Sequence, residues 1–433
     1  MSPAIPLTGP PAGRVSSETL RRICLEEGAD DVGFVEVDRP ALAEERPGIE
    51  RLFPRARTLI ALTGRMNRHA LRTTARNAAN QEFHHTINDL TATARRILRR
   101  LEAMGIQGLA PTAGFPMDMD RLGDGRLWDI SHKRVAEQAG LGRMGLHRNV
   151  IHPRLGNHIL LETLLIDAEV DATGRPLEGT PCLTCNLCVS ACPVGAIHKD
   201  GSFDFSACMT HNYREFFGGF QDWVETVTDS ASAAGYRARV RDSETASVWQ
   251  SLSFGANYKA AYCMAVCPAG GDILPEYHRD RKEYVRRVVR PLIEHPEPVY
   301  VQPGTPAEAA ARKRVHKELR FVHNRLRPAT VEGFLGGLPI AFNPRAARGY
   351  DFTLSFRFTG HTRREATVRI RNGTLEVREG ASLKANLEIT VDAETWIRIV
   401  NRQASPLWAV LTGRLQLRGN PIYLLKFQRA VPV

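Results

Sequence analysis

Seven of the eight cysteines fall within 86 residues, from Cys182 to Cys267. The first run, CLTCNLCVSACPVGAI, has the spacing Cys182-x2-Cys185-x2-Cys188-x3-Cys192-Pro193. Three thiolates at two-residue intervals wrap one face of a cubane iron–sulfur cluster. The fourth, placed before a proline, points away to a second cluster in two-cluster ferredoxins. Zinc instead takes two C-x2-C pairs divided by a spacer. The compact run therefore predicts iron–sulfur chemistry. The opening residues, MSPAIPLTGPPAGR, lack the basic start and apolar stretch of a secretory signal, which also favours metal over disulfides.

The second run, AAYCMAVCPAGG, gives Cys263-x3-Cys267-Pro268. In the symmetric arrangement Cys267 joins Cys182, Cys185 and Cys188 around a 4Fe–4S cluster. Cys192 and Cys263 then serve the second cluster, with Cys208 of FDFSACMTHNY as a third ligand. The fourth ligand belongs at position 260, where Ala260 stands. Three arrangements fit that gap. The second cluster is 3Fe–4S, or it is 4Fe–4S with an open iron bound by water or a side chain such as His211, or it is absent and Cys208 is structural.

The elements around these residues divide the chain. Residues 1–175 read as an α+β domain. Leu20, Ile23 and Cys24 share one face of a helix between a Ser cap and Gly28, so Cys24 is expected to be a buried core thiol. Val32, Phe34, Val35 and Val37 fall on both faces of Asp31–Val37, as in a strand covered on both sides. Leu59–Leu62 reads as a central strand. Ile87, Leu90, Ala94, Ile97, Leu98 and Leu101 recur at helical spacing, with Arg95, Arg96, Arg99 and Arg100 on a solvated face. Residues 176–275 hold the cysteines.

A charged helix is expected near Glu276–Ile293. Pro296, Pro298, Pro303 and Pro306 then mark a linker, so 276–315 reads as helix and Pro-rich connection. Residues 316–433 form a separate α+β domain. Phe352, Leu354, Phe356 and Phe358 alternate as in a strand over a core. Ala366–Arg371 and Thr374–Arg378 flank Asn372-Gly373, a hairpin signal. Leu383–Val391 reads as a strand, and Ala393–Asn401 and Pro406–Leu411 as helices.

The length of 433 residues fits about three domains. No apolar run approaches the roughly 20 residues that span a membrane, and the expected location is cytoplasmic. The net charge is +11, but the Arg residues are spread along the chain. Charge alone does not specify a partner, and nucleic acid is not the expected one.

The stretch WDISHKRVAEQAGLGRMGLHRNVIHPRLGNHILLETLLID, followed by the cluster run, resembles the epoxyqueuosine reductase and reductive dehalogenase superfamily. The counterparts are Ala139–Gly145, Pro153–Gly156 and Leu160–Asp167, with DDVGFVEV and ARTLIALTG as opening strands. The resemblance covers about residues 17–275. It implies a nitroreductase-like corrinoid-binding domain joined to a two-cluster ferredoxin-like domain. The clusters would carry electrons from an external ferredoxin- or flavodoxin-type donor to cobalamin. Gly140, Gly142 and Gly145 are the implied cofactor-binding residues, although a helix end and tight turn also explain glycine there. The family's Trp and Lys are replaced here by Arg143 and Leu146. Asp129, His132 and Lys133 are candidate proton donors, with capping or surface roles as the alternative.

Residues 320–433 resemble the sterol carrier protein two family, through Phe352–Phe358, SLKANLEITVDAETWIRIV and SPLWAVLTGRLQLRGNPIYLLKF. That resemblance implies a five-stranded sheet with helices around an apolar tunnel for a lipid or hydrophobic small molecule. Trp396, Ile399, Trp408, Leu411, Leu415, Leu417 and Leu424 are the expected lining. A solid core is the alternative. Together these readings describe an iron–sulfur, corrinoid-dependent reductase. It performs a two-electron reduction of a hydrophobic substrate held by the C-terminal domain. The rivals are a non-catalytic electron carrier, a redox-linked lipid-binding protein and a reductase acting on tRNA.

Overall fold

Apolar side chains on both faces of Asp31–Glu36 require cover from two sides, and they receive it. The computed structural model describes residues 13–117, 128–322, 327–401 and 403–431. They divide into two units. The first holds 13–117, 128–185 and 264–288, and the second holds 186–263 and the described residues from 289 onward.

The first unit contains α1 (Ser17–Glu26), β1 (Asp31–Glu36), β2 (Thr58–Arg65), α2 (Arg76–Ala103), β3 (Gly108–Leu109), α3 (His132–Gln138), β4 (Arg143–Met144), β5 (Val150–Ile151) and β6 (Ile159–Ile166). Its antiparallel sheet has the order β1-β2-β6-β3. Val32, Phe34, Ile60, Leu62 and Leu164 pack with α1 and α2 on one face. Val35, Leu59, Ala61 and Leu165 pack with Val135 and Ala136 of α3 on the other. Cys24 lies wholly inside the first of these cores, and burial pushes its thiol up to about 12. It is a structural thiol.

The second unit begins with α4 (Leu187–Ala191), α5 (Phe205–His211), α6 (Gly218–Thr228) and α7 (Asp242–Phe254). The proline-rich stretch is not bare linker. It contains β7 (Glu297–Val301), paired in parallel with β8 (Lys317–Phe321). Val299, Tyr300 and Val301 are buried. Burial of these three overrides the two-residue proline spacing, because Pro298 sits near the strand's start, where a missing N–H is tolerated. The expected charged helix is instead a series of short helices, Leu274–Arg279 and Arg281–Tyr284 in the first unit and Arg290–Glu294 in the second, with one wider turn at Val285–Val289.

The rest of this unit is α8 (Val331–Ala341), β9 (Asp351–Thr359), β10 (Arg364–Arg371), β11 (Thr374–Glu379), β12 (Leu387–Asp392), α9 (Ala393–Val400), α10 (Pro406–Leu411), β13 (Leu415–Gly419) and α11 (Ile422–Ala430). Five strands run in the order β11-β10-β9-β12-β13. Asn372 and Gly373 both have positive φ, the geometry of a two-residue hairpin turn. The expected strand from Leu383 begins only at Leu387, and Leu383 itself is fully exposed.

Trp396 is buried against Phe334, Phe356 and Phe358. Leu415 is buried with it, and Ile399, Leu417 and Leu424 pack on the same core. Trp408 and Leu411 do not line an interior. They are 67% and 70% exposed, because only Ala409 of α10 faces the core.

Candidate functional site

The cysteine segments take backbone shapes that their residue types do not favour. Among the described residues five non-glycine positions have positive φ, and three of them, Thr184, Asn186 and Ala261, flank cysteines. Such strain persists only where surroundings over-determine it, and it concentrates at functional sites. All eight thiols are unbridged. Cys188, Cys192 and Cys267 are buried and the other four of the clustered set are half-buried.

Cys182, Cys185 and Cys267 lie in the first unit, where Cys182 and Cys267 pack with Ile151 and Ala269. Cys188, Cys192, Cys208 and Cys263 lie in the second. The Cys192 sulfur receives the Ala196 N–H at 3.2 Å. The N–H groups of Val194, Gly195 and Ile197 also favour its thiolate, against the burial that raises its pKa. A buried sulfur ringed by backbone donors suits a cluster thiolate, since hydrogen bonds to sulfur set a cluster's potential. The Cys192 environment therefore fits an iron–sulfur group. Among the described residues no three His, Cys, Asp or Glu side chains converge as they would on a single metal ion.

Cys208 stands on α5, which Asp204 caps by accepting the Ala207 N–H at 2.9 Å. Asp204 is buried, which raises its pKa, and it accepts the Asn343 amide at 2.8 Å. Asn212, just past the end of α5, holds the approach to Cys263. Its side-chain oxygen accepts the N–H groups of Ala260 and Ala261 at 3.0 and 2.9 Å, and its carbonyl accepts that of Lys259. Position 260 is thus clamped beside the Cys208 helix with a buried methyl group, 5% exposed.

Tyr213 lies within electrostatic reach of both Cys208 and Cys263. Burial first, and those thiols second, push its hydroxyl well above the usual range. Its ring meets Tyr258 and Phe217 at 5.6 and 6.1 Å. His211 is buried, and its Nδ1 accepts the Tyr300 N–H at 3.4 Å. Its buried Nε2 has no hydrogen-bond partner among the described residues.

The three candidate proton donors each have a separate structural partner. Asp129 pairs with Arg51. His132 is buried, with Nδ1 2.8 Å from the Thr163 hydroxyl and Nε2 3.1 Å from the Thr112 carbonyl. Burial lowers its pKa and keeps it neutral. Lys133 donates to the Arg148 carbonyl at 2.9 Å and to Asn149 at 2.8 Å. The glycines are explained by packing. An added Cβ would meet the Arg175 carbonyl oxygen at 2.8 Å from Gly140 and the Ile151 carbonyl oxygen at 2.4 Å from Gly142. At Gly145 it would meet the Ile151 side chain at 2.7 Å. These contacts give each glycine a packing reason within the chain.

Sequence reasoning passed over Glu162, an acid in the middle of the apolar strand LLETLLID. It is buried on β6, where its carboxyl accepts from the Thr91 hydroxyl at 3.3 Å and the Thr163 N–H at 3.2 Å. Burial pushes it up to about 7 from an ordinary 4.5. Below pH 4.5 both the folded and the unfolded chain bind this proton. Between 4.5 and 7 only the folded chain does. The proton's contribution is therefore complete below 4.5 and is lost as pH rises through 7. Relative to wild type, Glu162→Gln gains roughly 3 kcal/mol of stability between pH 4.5 and 8. Urea unfolding midpoints of both proteins across this range measure it. An unchanged difference between them would refute the buried-acid assignment.

Residues 324–431 match the alkyl sulfatase C-terminal family. The chain is 27% identical over 138 residues to the epoxyqueuosine reductase of Aliivibrio fischeri, covering 32% of this chain and 33% of that protein. It is 26% identical over 190 residues to the one of Bacillus cereus, covering 41% and 44%. Among solved structures, epoxyqueuosine reductase from Streptococcus thermophilus superposes with a TM-score of 0.36 at 14% identity, over 63% of this chain and 75% of that one. The matches to these two curated relatives span between a third and a half of the relatives' own length.

Proposed function

We propose that this protein is an iron–sulfur reductase in which two clusters relay single electrons from an external donor. The observation that carries this is the Cys192 sulfur and its ring of backbone N–H donors, set among cysteines with two-cluster spacing. In this reading Cys182, Cys185, Cys188 and Cys267 hold a 4Fe–4S cluster. Cys192, Cys208 and Cys263 hold the second, whose remaining corner has no cysteine. Ala260 puts a methyl group there, and His211, whose buried Nε2 has no hydrogen-bond partner among the described residues, remains a candidate beside water. A three-iron cluster or an open iron both satisfy that corner. The N–H groups at Cys192 would stabilise added negative charge.

The cobalamin implied by the sequence resemblance is a further part of the proposal. It would supply a strongly reducing nucleophilic metal for a two-electron reduction of a hydrophobic substrate. Asp129, His132, Lys133 and the three glycines are all engaged within the chain, so no step is assigned to them through it. The same engagement favours a second reading, a non-catalytic electron carrier. The C-terminal domain, with its alkyl sulfatase C-terminal match and sterol-carrier-like segments, would hold or deliver the hydrophobic molecule.

Anaerobic reconstitution with iron, sulfide and hydroxocobalamin separates the two readings. The reductase reading expects cob(II)alamin and then cob(I)alamin absorbance and electron spin resonance changes when the clusters are reduced. Cluster reduction with no cobalt change leaves the electron carrier.

A further inference from the structure

Helix α10 turns its apolar side outward. Leu407 and Leu411 are 69% and 70% exposed and Trp408 is 67% exposed, while Ala409 alone packs inward. Val410 is exposed as well, as are Ile422 and Leu425 on α11. Residues 403–431 contain Arg414, Arg418, Lys426 and Arg429 and no Asp or Glu. The strand ladder sets Glu388 opposite Arg418, so the excess charge is carried by Arg414, Lys426 and Arg429. Lys426 is held over the rings of Tyr350 and Tyr423 at 5.4 Å from each.

We propose that α10 and the segment after it dock this protein on an anionic lipid–water interface. Protruding Leu and Trp beside Arg and Lys, with no acid between, is the composition of a helix that lies in a bilayer surface. Trp in particular favours the boundary between headgroups and acyl chains. A second copy of the chain suits this face less, because two like-charged faces repel. A protein partner would take the protruding Leu and Trp in matching pockets, and nothing in the charge pattern asks for more than a fluid anionic surface. Among the described residues no helix is long and apolar enough to cross a membrane, so the contact is peripheral. The proposal does not depend on cobalamin or on the nuclearity of the second cluster.

The test is flotation of the full chain with vesicles of phosphatidylcholine alone and of phosphatidylcholine with phosphatidylglycerol, at low and high salt. Binding is expected only to the anionic vesicles and is weakened by salt. Exposed side chains are changed in Trp408→Ala/Leu411→Ala, which keeps the fold and lowers partitioning about tenfold or more. Arg414→Glu lowers it about tenfold and removes the lipid preference. Brominated anionic lipid quenches part of the wild-type fluorescence, and Trp408→Phe loses that part. This reading is overturned by absence of binding to either vesicle, or by equal binding to both. It is also overturned if wild type sediments as a dimer that Trp408→Ala/Leu411→Ala splits, which assigns the face to a second copy.

Discussion

Cys192→Ala loses the second cluster and keeps the first. In the proposed arrangement Cys192 is a ligand of the second cluster, and its sulfur has the Ala196 N–H at 3.2 Å and three further N–H groups acting on it. Removing the sulfur leaves a cluster with two thiolates, Cys208 and Cys263, too few to retain it. It also leaves buried donors without an acceptor, at a cost of roughly 1–3 kcal/mol. Iron and acid-labile sulfide should fall by about half relative to reconstituted wild type. Cys185→Ala should give the reciprocal loss, with the second cluster's signal retained. Both variants retaining full iron would remove the basis for two clusters. Both losing all of it would mean that the cysteines build a single cooperative centre.

Lys317→Met unfolds the second unit at a much lower denaturant concentration. The Lys317 side chain is 2% exposed, and its ammonium donates to the carbonyls of Leu292 and His295 at 3.0 and 2.7 Å and to Glu297 at 2.8 Å. Glu297 in turn accepts the Tyr262 hydroxyl at 2.7 Å, next to Cys263 in the chain. Without the lysine, Glu297 is left as a buried charge with one neutral donor. Breaking such a pair from one side costs about 3–5 kcal/mol. Circular dichroism during guanidinium unfolding measures the loss. Because Tyr262 adjoins Cys263, the second cluster should also release iron faster to a chelator. Lys317→Met/Glu297→Met restores most of the stability, since it removes both charges together. A single variant as stable as wild type would show that the pair is not buried in solution.

Much of the local structure was legible because it is set by neighbours in the chain. Alternation at Phe352–Phe358 and the Asn372-Gly373 turn gave β9 and the β10–β11 hairpin. Two-sided apolarity at Asp31–Glu36 gave a covered strand, and Cys24 was read correctly as core. The misreadings came where long-range packing outweighs local preference. Prolines argued against structure at 296–306, yet pairing with β8 and burial of Val299–Val301 made a strand. Trp408 and Leu411 were assigned to a tunnel by type, but the side of α10 that meets the core is set by Ala409. Glu162 was hidden by its apolar neighbours, although an acid inside such a strand was the available signal.

The sequence by itself carried the expectation of iron–sulfur chemistry: loops of two or three residues keep Cys182, Cys185, Cys188 and Cys192 close together whatever the rest of the fold does. It also exposed the gap at Ala260. Tertiary structure decided what surrounds Cys192, Cys208 and Cys263. It brought Asn212 to the backbone of Ala260, set Tyr213 within electrostatic reach of Cys208 and Cys263, and placed the Tyr300 N–H against the His211 Nδ1. It likewise tied Asp129, His132 and Lys133 to three separate partners. Those contacts join residues distant in the chain, and no local spacing encodes which of them will meet.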